Sequence, residues 1–319
     1  MVADPNFVNP LANPILIPII YRFGIVFLAG LILIFALNKF KFKGIWKTNL
    51  GKRYFSWLII AVIYTTAVLF GGYPALAVLL LFMILALWEV SKIAKLSKMY
   101  SYTLYFLAIA SIYVSSFHPK NFYMLPLFYF IVLGIIAIRE NKSNGFSNLS
   151  LSLFATIWII FSLSHFILLG HLNNEIDSTK SLLILVALTV ALSDIGAYVV
   201  GKGFSKTFLN KYKIAEKISP NKTYAGILGN ILGAGAGVAI MYFAIKSYLT
   251  INQMIVLSIL IGLFSVVGDL TESLFKRYYN RKNSSSIIPG HGGILDRIDS
   301  VLRVILIIYY YLVFTLPVQ

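Results

Sequence analysis

Apolar residues fill long stretches of this chain, and short polar segments separate them. Many of the stretches approach the length of about 20 residues that a helix needs to cross a bilayer. The pattern therefore predicts an all-α polytopic integral membrane protein with about ten transmembrane helices. We place them near residues 15–37, 54–70, 73–88, 99–117, 121–138, 149–170, 181–200, 224–245, 253–271 and 300–316. The second and third stretches are short and closely joined, so they could form either a tight hairpin of two helices or one re-entrant unit.

Basic residues are unevenly distributed among the connections between these stretches. Lys and Arg concentrate in the odd-numbered connections, and each even-numbered connection holds one or none. Because cytoplasmic loops carry an excess of basic residues, the odd connections are expected in the cytoplasm and both termini on the outer side. The chain begins without the basic segment or cleavage site of a signal peptide, so the first apolar stretch is expected to remain as a helix.

The chain divides into two predicted membrane regions. Residues 1–148 form an N-terminal region of about five helices with basic cytoplasmic loops, and residues 149–319 form a C-terminal catalytic region, also of about five helices. The two longest connections, 201–223 and 272–299, both lie in the second region and are polar and rich in Gly, Ser and Lys. Long loops that are not linkers usually carry function, so we expect the active site there.

Composition agrees with a membrane protein. Of the 319 residues, 59% are hydrophobic and only 12% charged, and the mean hydropathy is +0.84. These values exclude a soluble domain, a disordered chain and a disulfide scaffold. We attribute the net charge of +16 to basic loops that orient the protein in the membrane and contact anionic lipids. Nucleic acid is not expected as a partner. The absence of Cys excludes a thiol nucleophile and Cys-ligated zinc.

Two Asp residues lie inside apolar stretches, where a charged side chain is costly to keep. Asp194 lies within the seventh stretch and Asp269 at the end of the ninth. Each could be paired with a buried cation, or could line a water-filled site below the cytoplasmic surface. If the ninth helix continues, residues at spacing i, i+3, i+4 and i+7 share one face. These residues are Asp269, Glu272, Ser273 and Lys276.

A glycine-rich segment follows in the ninth connection. Gly290, Gly292 and Gly293 surround His291, which lets the backbone approach a ligand and present N–H groups to an anion, although an ordinary turn has the same composition. Two carboxylates, Asp296 and Asp299, come next at i, i+3. Carboxylate oxygens are the ligands that Mg²⁺ prefers, and a carboxylate site with phosphates suits phosphoryl or nucleotidyl transfer.

A capping sequence precedes the eighth apolar stretch. Ser219 followed by Pro220 predicts a helix N-cap with Pro at the first helical position. A helix N-terminus beside Lys222 and Thr223 would suit phosphate binding, and an ordinary capped helix has the same sequence.

The motifs together resemble the signature of the phosphatidate cytidylyltransferase family, also called CDP-diacylglycerol synthases. The matching positions extend over residues 273–299 and are highly specific. Two further blocks match in the same order, Asp194–Tyr198 with Gly201 and Ser219–Thr223 with Gly226. The resemblance is strong over residues 190–303, and the first half matches only as a hydrophobic membrane region.

The resemblance implies a membrane enzyme, usually a homodimer, in the inner or plasma membrane with its active site facing the cytoplasm. It implies transfer of a cytidylyl group from CTP to phosphatidic acid with Mg²⁺, with a second cation left open. Its metal carboxylates would be Asp269 and Asp296. The implied catalytic residues are Asp269, Lys276, Arg277, His291, Asp296, Arg297 and Asp299. The implied substrate-binding residues are Asp194, Ser219, Lys222, Thr223, Ser273, Lys282, Gly290, Gly292 and Gly293.

Two departures from the family pattern leave alternatives open. Asn283 stands where the family usually has Asp, and Ala225 where it usually has Glu. A non-catalytic homologue that binds CTP or lipid is therefore one alternative. Another is a CTP-dependent enzyme acting on a different lipid, such as a polyprenol kinase or a CDP-archaeol synthase. An ion-coupled transporter would explain Asp194 and Asp269, but the sequence shows no inverted repeat.

Overall fold

A computed structural model describes residues 13–37, 48–140, 144–172, 176–203, 212–288 and 292–316, and these residues are mostly helical. The N-terminal region contains α1 (Leu16–Leu37), α2 (Asn49–Phe70), α3 (Gly72–Ala94), α4 (Lys98–Phe117) and α5 (Leu125–Glu140), with a 3₁₀ turn at Pro119–Met124. The C-terminal region contains α6 (Gly145–Ala155), α7 (Ser162–His171), α8 (Ile176–Gly203), α9 (Tyr224–Ile245), α10 (Ile251–Tyr278) and α11 (Leu295–Thr315). A π-helical turn, Thr156–Phe161, joins α6 and α7 into one continuous rod.

Each predicted apolar stretch coincides with a helix or helical rod, which confirms the all-α polytopic membrane fold. Within the described part of the chain, seven helical stretches are long and apolar enough to cross a membrane. They are Gly72–Ala94, Pro119–Glu140, Gly145–His171, Lys180–Gly203, Tyr224–Ile245, Ile251–Tyr278 and Leu295–Thr315. Two shorter apolar segments, Leu16–Ile32 of α1 and Tyr54–Phe70 of α2, accompany them, and the more polar α4 falls in neither group.

The helices flanking the ninth connection are longer than predicted. Helix α10 runs to Tyr278 and α11 begins at Leu295, so the connection is residues 279–294 rather than 272–299. The predicted limits of this connection were wrong because they were placed where the hydropathy falls. The polar residues at the end of α10 and at the start of α11 are helical, and their side chains are largely buried between the two helices.

The predicted cap at Ser219 is also wrong. Ser219–Thr223 forms strand β2, which pairs antiparallel with β1 (Lys213–Ala215) in a short hairpin. Helix α9 begins only at Tyr224, with Thr223 as its N-cap, and the Thr223 hydroxyl accepts a hydrogen bond from the Gly226 N–H at 3.2 Å. Pairing with β1 holds Ser219 and Pro220 in extended backbone and moves the helix start four residues along the chain.

Helices α8 and α9 cross with their backbones in contact. A Cβ atom added at Gly229 would collide with the backbone of Gly196 and Ala197, and one added at Gly233 would collide with that of Leu192. The amide of Asn230 donates a buried hydrogen bond to the Ser193 hydroxyl at 2.9 Å across the same contact. This crossing fixes the segment of α8 that carries Asp194.

Helices α10 and α11 form a second close crossing. A Cβ atom at Gly268 would collide with the backbone of Asp299 and Ser300. The Ser300 hydroxyl donates to the carbonyl of Ser265 at 3.1 Å. Because Asp269 follows Gly268 directly, the crossing brings Asp269 close to Asp299.

Substitution Gly229→Ala is expected to lower the thermal unfolding midpoint in detergent, because the methyl group meets immovable backbone and overpacking costs about 1–3 kcal/mol. Gly235→Ala on the same helix is the control, since its added methyl group would meet its nearest atom at 3.9 Å. Alanine is intrinsically the better helix former by about 0.5–1 kcal/mol, so Gly235→Ala should be neutral or stabilising. Equal midpoints for the two variants would contradict the close crossing.

Candidate active site

Three helices and the hairpin bring a group of charged side chains together. Asp194 from α8, Asp269 from α10 and Asp299 from α11 lie near enough to interact electrostatically. Lys222, in β2, forms an ion pair with Asp269. Arg297 interacts electrostatically with Asp194 and Asp299. We call these five residues the carboxylate cluster, in which two cations offset three acidic groups.

Lys222 supplies the cluster with a fixed positive charge. Burial alone would lower the pKa of Lys222, but the carboxylates of Asp269 and Asp194 outweigh burial and raise this pKa above its ordinary value. The side chain is 22% exposed. Lys222 is therefore protonated at neutral pH and is available to an anionic group entering the cluster.

A second buried group lies on the adjoining faces of α10 and α11. The ammonium of Lys276 forms an ion pair with Glu272, one turn earlier on α10. The same ammonium donates to Asp296 Oδ1 at 2.5 Å. The side chains of Lys276, Glu272 and Asp296 are 10%, 1% and 7% exposed. One lysine thus joins two carboxylates that would otherwise repel each other in a low-dielectric site.

Asp296 also organises the connection that precedes it. Its Oδ2 accepts hydrogen bonds from the Ser284 hydroxyl at 2.7 Å, the Ser284 N–H at 3.0 Å and the Gly293 N–H at 2.7 Å. Gly292 has a positive φ of 93°, and a Cβ there would collide with the Asp296 carboxylate. Glycine at position 292 is therefore required for both backbone conformation and space.

The remaining predicted residues lie around these two groups. The Ser273 hydroxyl donates to Asp269 Oδ1 at 3.3 Å, as the shared helix face predicts. Arg277 Nε donates to the carbonyl of Ile218 at 3.4 Å, so Arg277 contacts the hairpin. Lys282 is exposed on the connection. Gly290 and His291 lie outside the described residues, and their predicted roles stay predictions.

The acidic residues suit Mg²⁺ by their chemistry. Among the described residues, no group of three His, Asp or Glu side chains could hold a metal ion by itself. Mg²⁺ usually binds through one or two carboxylates together with substrate phosphates, so this arrangement fits a cation that arrives with a phosphate. The predicted ligands Asp269 and Asp296 each contact a lysine here, and their assignment as ligands stays a prediction.

An apolar cavity reaches the carboxylate cluster. Its volume is about 400 Å³, and its walls come from α1, α2, α3, α7, α8 and α11. Apolar side chains such as Trp57, Phe166 and Leu188 form most of the lining, whereas Asp194 and Arg297 are its charged residues. An amphiphilic molecule could therefore place its polar end at the cluster and its apolar part between the helices.

One residue that contacts the candidate site is absent from the sequence-based prediction. Glu89, on α3, is fully buried and accepts hydrogen bonds from three groups of the connection that carries the glycines and from the N–H of the first residue of α11. The predicted third helix stopped at residue 88, which left Glu89 looking like an ordinary loop residue. The sequence did contain a sign that the third helix continues past residue 88. Apolar residues recur at helical spacing after Glu89, at Val90, Ile93 and Ala94.

Comparison with known proteins finds a matching protein family. A sequence model described as the cytidylyltransferase family matches residues 51–315. The matched range includes both charged groups and the hairpin. It extends well beyond the strong resemblance over residues 190–303 and includes the cavity-lining residues of α2, α3, α7, α8 and α11, but not those of α1.

Three similar proteins from bacteria are all named phosphatidate cytidylyltransferase. A phosphatidate cytidylyltransferase of Staphylococcus haemolyticus is 40% identical over 37% of this chain and 44% of its own length. One from Haemophilus influenzae is 38% identical over 46% of this chain and 51% of its own length. These two alignments thus span about half of each relative. One from Bacillus subtilis is 28% identical over 83% of this chain and 98% of its own length.

Substitution Lys276→Met is expected to destabilise the protein by about 3–5 kcal/mol, because it leaves two buried carboxylates without their shared cation. Thermal unfolding in detergent measures the loss. Adding Glu272→Gln should recover part of it by removing one of the uncompensated charges. Lys217→Met, at an exposed position of the hairpin turn, is the control, and an equal shift in both lysine variants would contradict the buried network.

Proposed function

The chain belongs to the cytidylyltransferase family, and we propose that it transfers a cytidylyl group from CTP to phosphatidic acid, giving CDP-diacylglycerol and pyrophosphate. The observation that carries this proposal is the juxtaposition of the carboxylate cluster with the apolar cavity. Asp194 and Arg297 belong to both. A lipid phosphate is the kind of substrate that has one highly charged end and long apolar chains. The names of the relatives support the same reaction.

The reaction can be written from the charges involved. An oxygen of the lipid phosphate attacks the α-phosphorus of CTP, a new P–O bond forms, and the bond to the β-phosphate breaks with release of pyrophosphate. A phosphomonoester is already ionised near neutral pH, so the attacking oxygen needs no strong base. The task of the protein is to align two anions and offset their repulsion.

The cations of the site are suited to that task. Lys222 stands at the carboxylate cluster with its charge fixed, and Arg297 lines the cavity. A guanidinium can bind a phosphate through two parallel hydrogen bonds, so Arg297 is proposed to hold the lipid phosphate. Lys222 is proposed to exchange its contact with Asp269 for the phosphates of CTP.

A divalent cation is part of the proposal. When bound, Mg²⁺ would offset the charge of the CTP phosphates and of the departing pyrophosphate. Asp269 and Asp296 are its proposed ligands, with the phosphates completing the coordination, and a second cation stays open. Ser273, which donates to Asp269, would orient that carboxylate.

The distribution of basic residues supports a location for the enzyme. We propose that the enzyme lies in the inner or plasma membrane with the site facing the cytoplasm, because the connections that carry the site are basic. Lipid would enter from the inner leaflet and CTP from the cytosol. The resemblance also implies a homodimer. The absence of native Cys allows each single-Cys variant to be labelled without background, and labelling at position 217 from outside intact cells would overturn the orientation.

Purified protein in detergent is expected to release pyrophosphate only when CTP, phosphatidic acid and Mg²⁺ are all present. Asp269→Asn should lower the rate by at least about a hundredfold, the order expected for loss of one key electrostatic group. Glu140→Gln, at the end of α5, is the matched control and should keep the rate. Near-normal turnover in Asp269→Asn would reject the role of Asp269, whereas activity with another lipid acceptor alone would reject phosphatidic acid as the substrate.

Ala187 tests the cavity as the lipid site, since its side chain lines the apolar wall. Ala187→Phe should raise the KM for long-chain phosphatidic acid about tenfold, because the added ring would occupy space used by the acyl chains and remove apolar contact worth about 1–2 kcal/mol. The KM for CTP should be unchanged. A short-chain phosphatidic acid should be affected less. Ala239→Phe, on the exposed face of α9, is the control. An equal rise for both lipids would contradict an acyl-chain site here.

A further inference from the structure

Glu89 holds the glycine-rich connection from a distant part of the chain. Its Oε1 accepts hydrogen bonds from the Ser285 hydroxyl at 2.6 Å and the Ile294 N–H at 2.9 Å. Its Oε2 accepts from the Ser284 hydroxyl at 2.9 Å and the Leu295 N–H at 2.8 Å. The four donors therefore lie on both sides of the glycines, and one carboxylate closes the segment between residues 284 and 295 at its two ends.

Glu89 also caps a helix to which it does not belong. The N-cap position of α11, Ile294, provides no side-chain hydrogen bond. The first N–H groups of a helix need partners, and a negative charge near them is favourable. Glu89 meets both needs for Ile294 and Leu295 from α3. The start of α11 thus depends on the N-terminal membrane region.

The contact continues to Asp296. The Ser284 hydroxyl lies 2.9 Å from Glu89 Oε2 and 2.7 Å from Asp296 Oδ2, so its single proton is shared between the two carboxylates. A Cβ at Gly293 would collide with the Ser284 hydroxyl and with both oxygens of Glu89. The position of Asp296 is therefore determined on one side by Lys276 and on the other by Ser284 and Glu89.

An ordinary cap would not require this arrangement. Ser, Thr, Asp or Asn at the N-cap position supplies a cap locally, without burying a charge from another helix. A fully buried carboxylate is costly unless its hydrogen bonds are satisfied, and here both oxygens of Glu89 are used. The cost is understandable if the segment must be held in one conformation beside the reacting groups.

We propose that Glu89 is a positioning residue for the cytidylyl transfer: it holds the two ends of segment 284–295 at residues 284–285 and 294–295, and through Ser284 it sets the place of Asp296. The proposal rests on the proposed function for its kinetic consequence, but the immobilisation of the segment does not depend on it. Glu89 is expected to act mainly on turnover, because its one contact with the cavity wall is to the backbone N–H of Ile294 and its other donors lie on the glycine-rich connection and at the start of α11.

The informative substitution is Glu89→Gln, which keeps the size of the side chain. Each oxygen of Glu89 accepts from a backbone N–H that cannot turn away, so whichever oxygen becomes NH₂ faces a donor. We expect kcat to fall by roughly tenfold to a hundredfold, as for residues that orient ligands of a catalytic centre. The KM for phosphatidic acid should change by less than about twofold, since the substitution alters no side chain that lines the cavity. Glu140→Gln should retain kcat.

A double-mutant cycle tests whether Glu89 acts through Ser284. The effects of Glu89→Gln and Ser284→Ala on kcat should be strongly non-additive, because both interrupt the same connection to Asp296. Multiplicative effects, or a loss in KM alone, would overturn the positioning role.

Spin labelling provides a readout that needs no activity. A nitroxide on Ser286→Cys, an exposed residue of the segment, should become more mobile when Glu89→Gln is added. A nitroxide on Lys217→Cys in the hairpin should not change. Unchanged mobility at 286 would reject the proposal even in an active enzyme, and increased mobility would support it even if the reaction proves different. If Glu89→Gln does not fold, the variant carrying both Ser284→Ala and Ser285→Ala serves for the same measurement and the same outcomes.

Discussion

Charge neutralisation inside a bundle of apolar helices is the constraint on which this structure depends. Carboxylates at such depth are costly unless each has a cation or several hydrogen-bond donors. The site meets that requirement in three ways: Lys222 pairs with Asp269, Lys276 joins Glu272 to Asp296, and Glu89 receives four donors. Anionic substrates and a metal could use the same balance, with lysines moving from carboxylates to phosphates.

Close backbone contact makes this balance geometrically possible. Helix α8 crosses α9 at Gly196, Gly229 and Gly233, and α10 crosses α11 at Gly268. The acidic residues of α8, α10 and α11 lie near enough to interact electrostatically. Larger residues at these positions would separate the helices. The small residues thus determine electrostatic distances, although they carry no charge themselves.

The sequence predicted the part of the site that follows from local spacing. The common face of Asp269, Glu272, Ser273 and Lys276 was predicted from helical periodicity and is present, and the hydrophobic stretches located the helices. Ser219 was assigned wrongly because hairpin pairing overrides a local capping sequence. Glu89 was missed because its partners lie some 200 positions away and spacing carries no information about such contacts.

The transfer of label from CTP into lipid tests the central claim most directly. Purified protein should be incubated with phosphatidic acid, Mg²⁺ and CTP carrying ³²P at either the α or the γ position. The account predicts that only the α label enters the lipid, because the cytidylyl group moves and pyrophosphate leaves. Entry of the γ label would identify a lipid kinase, and entry of neither in folded protein would contradict cytidylyl transfer.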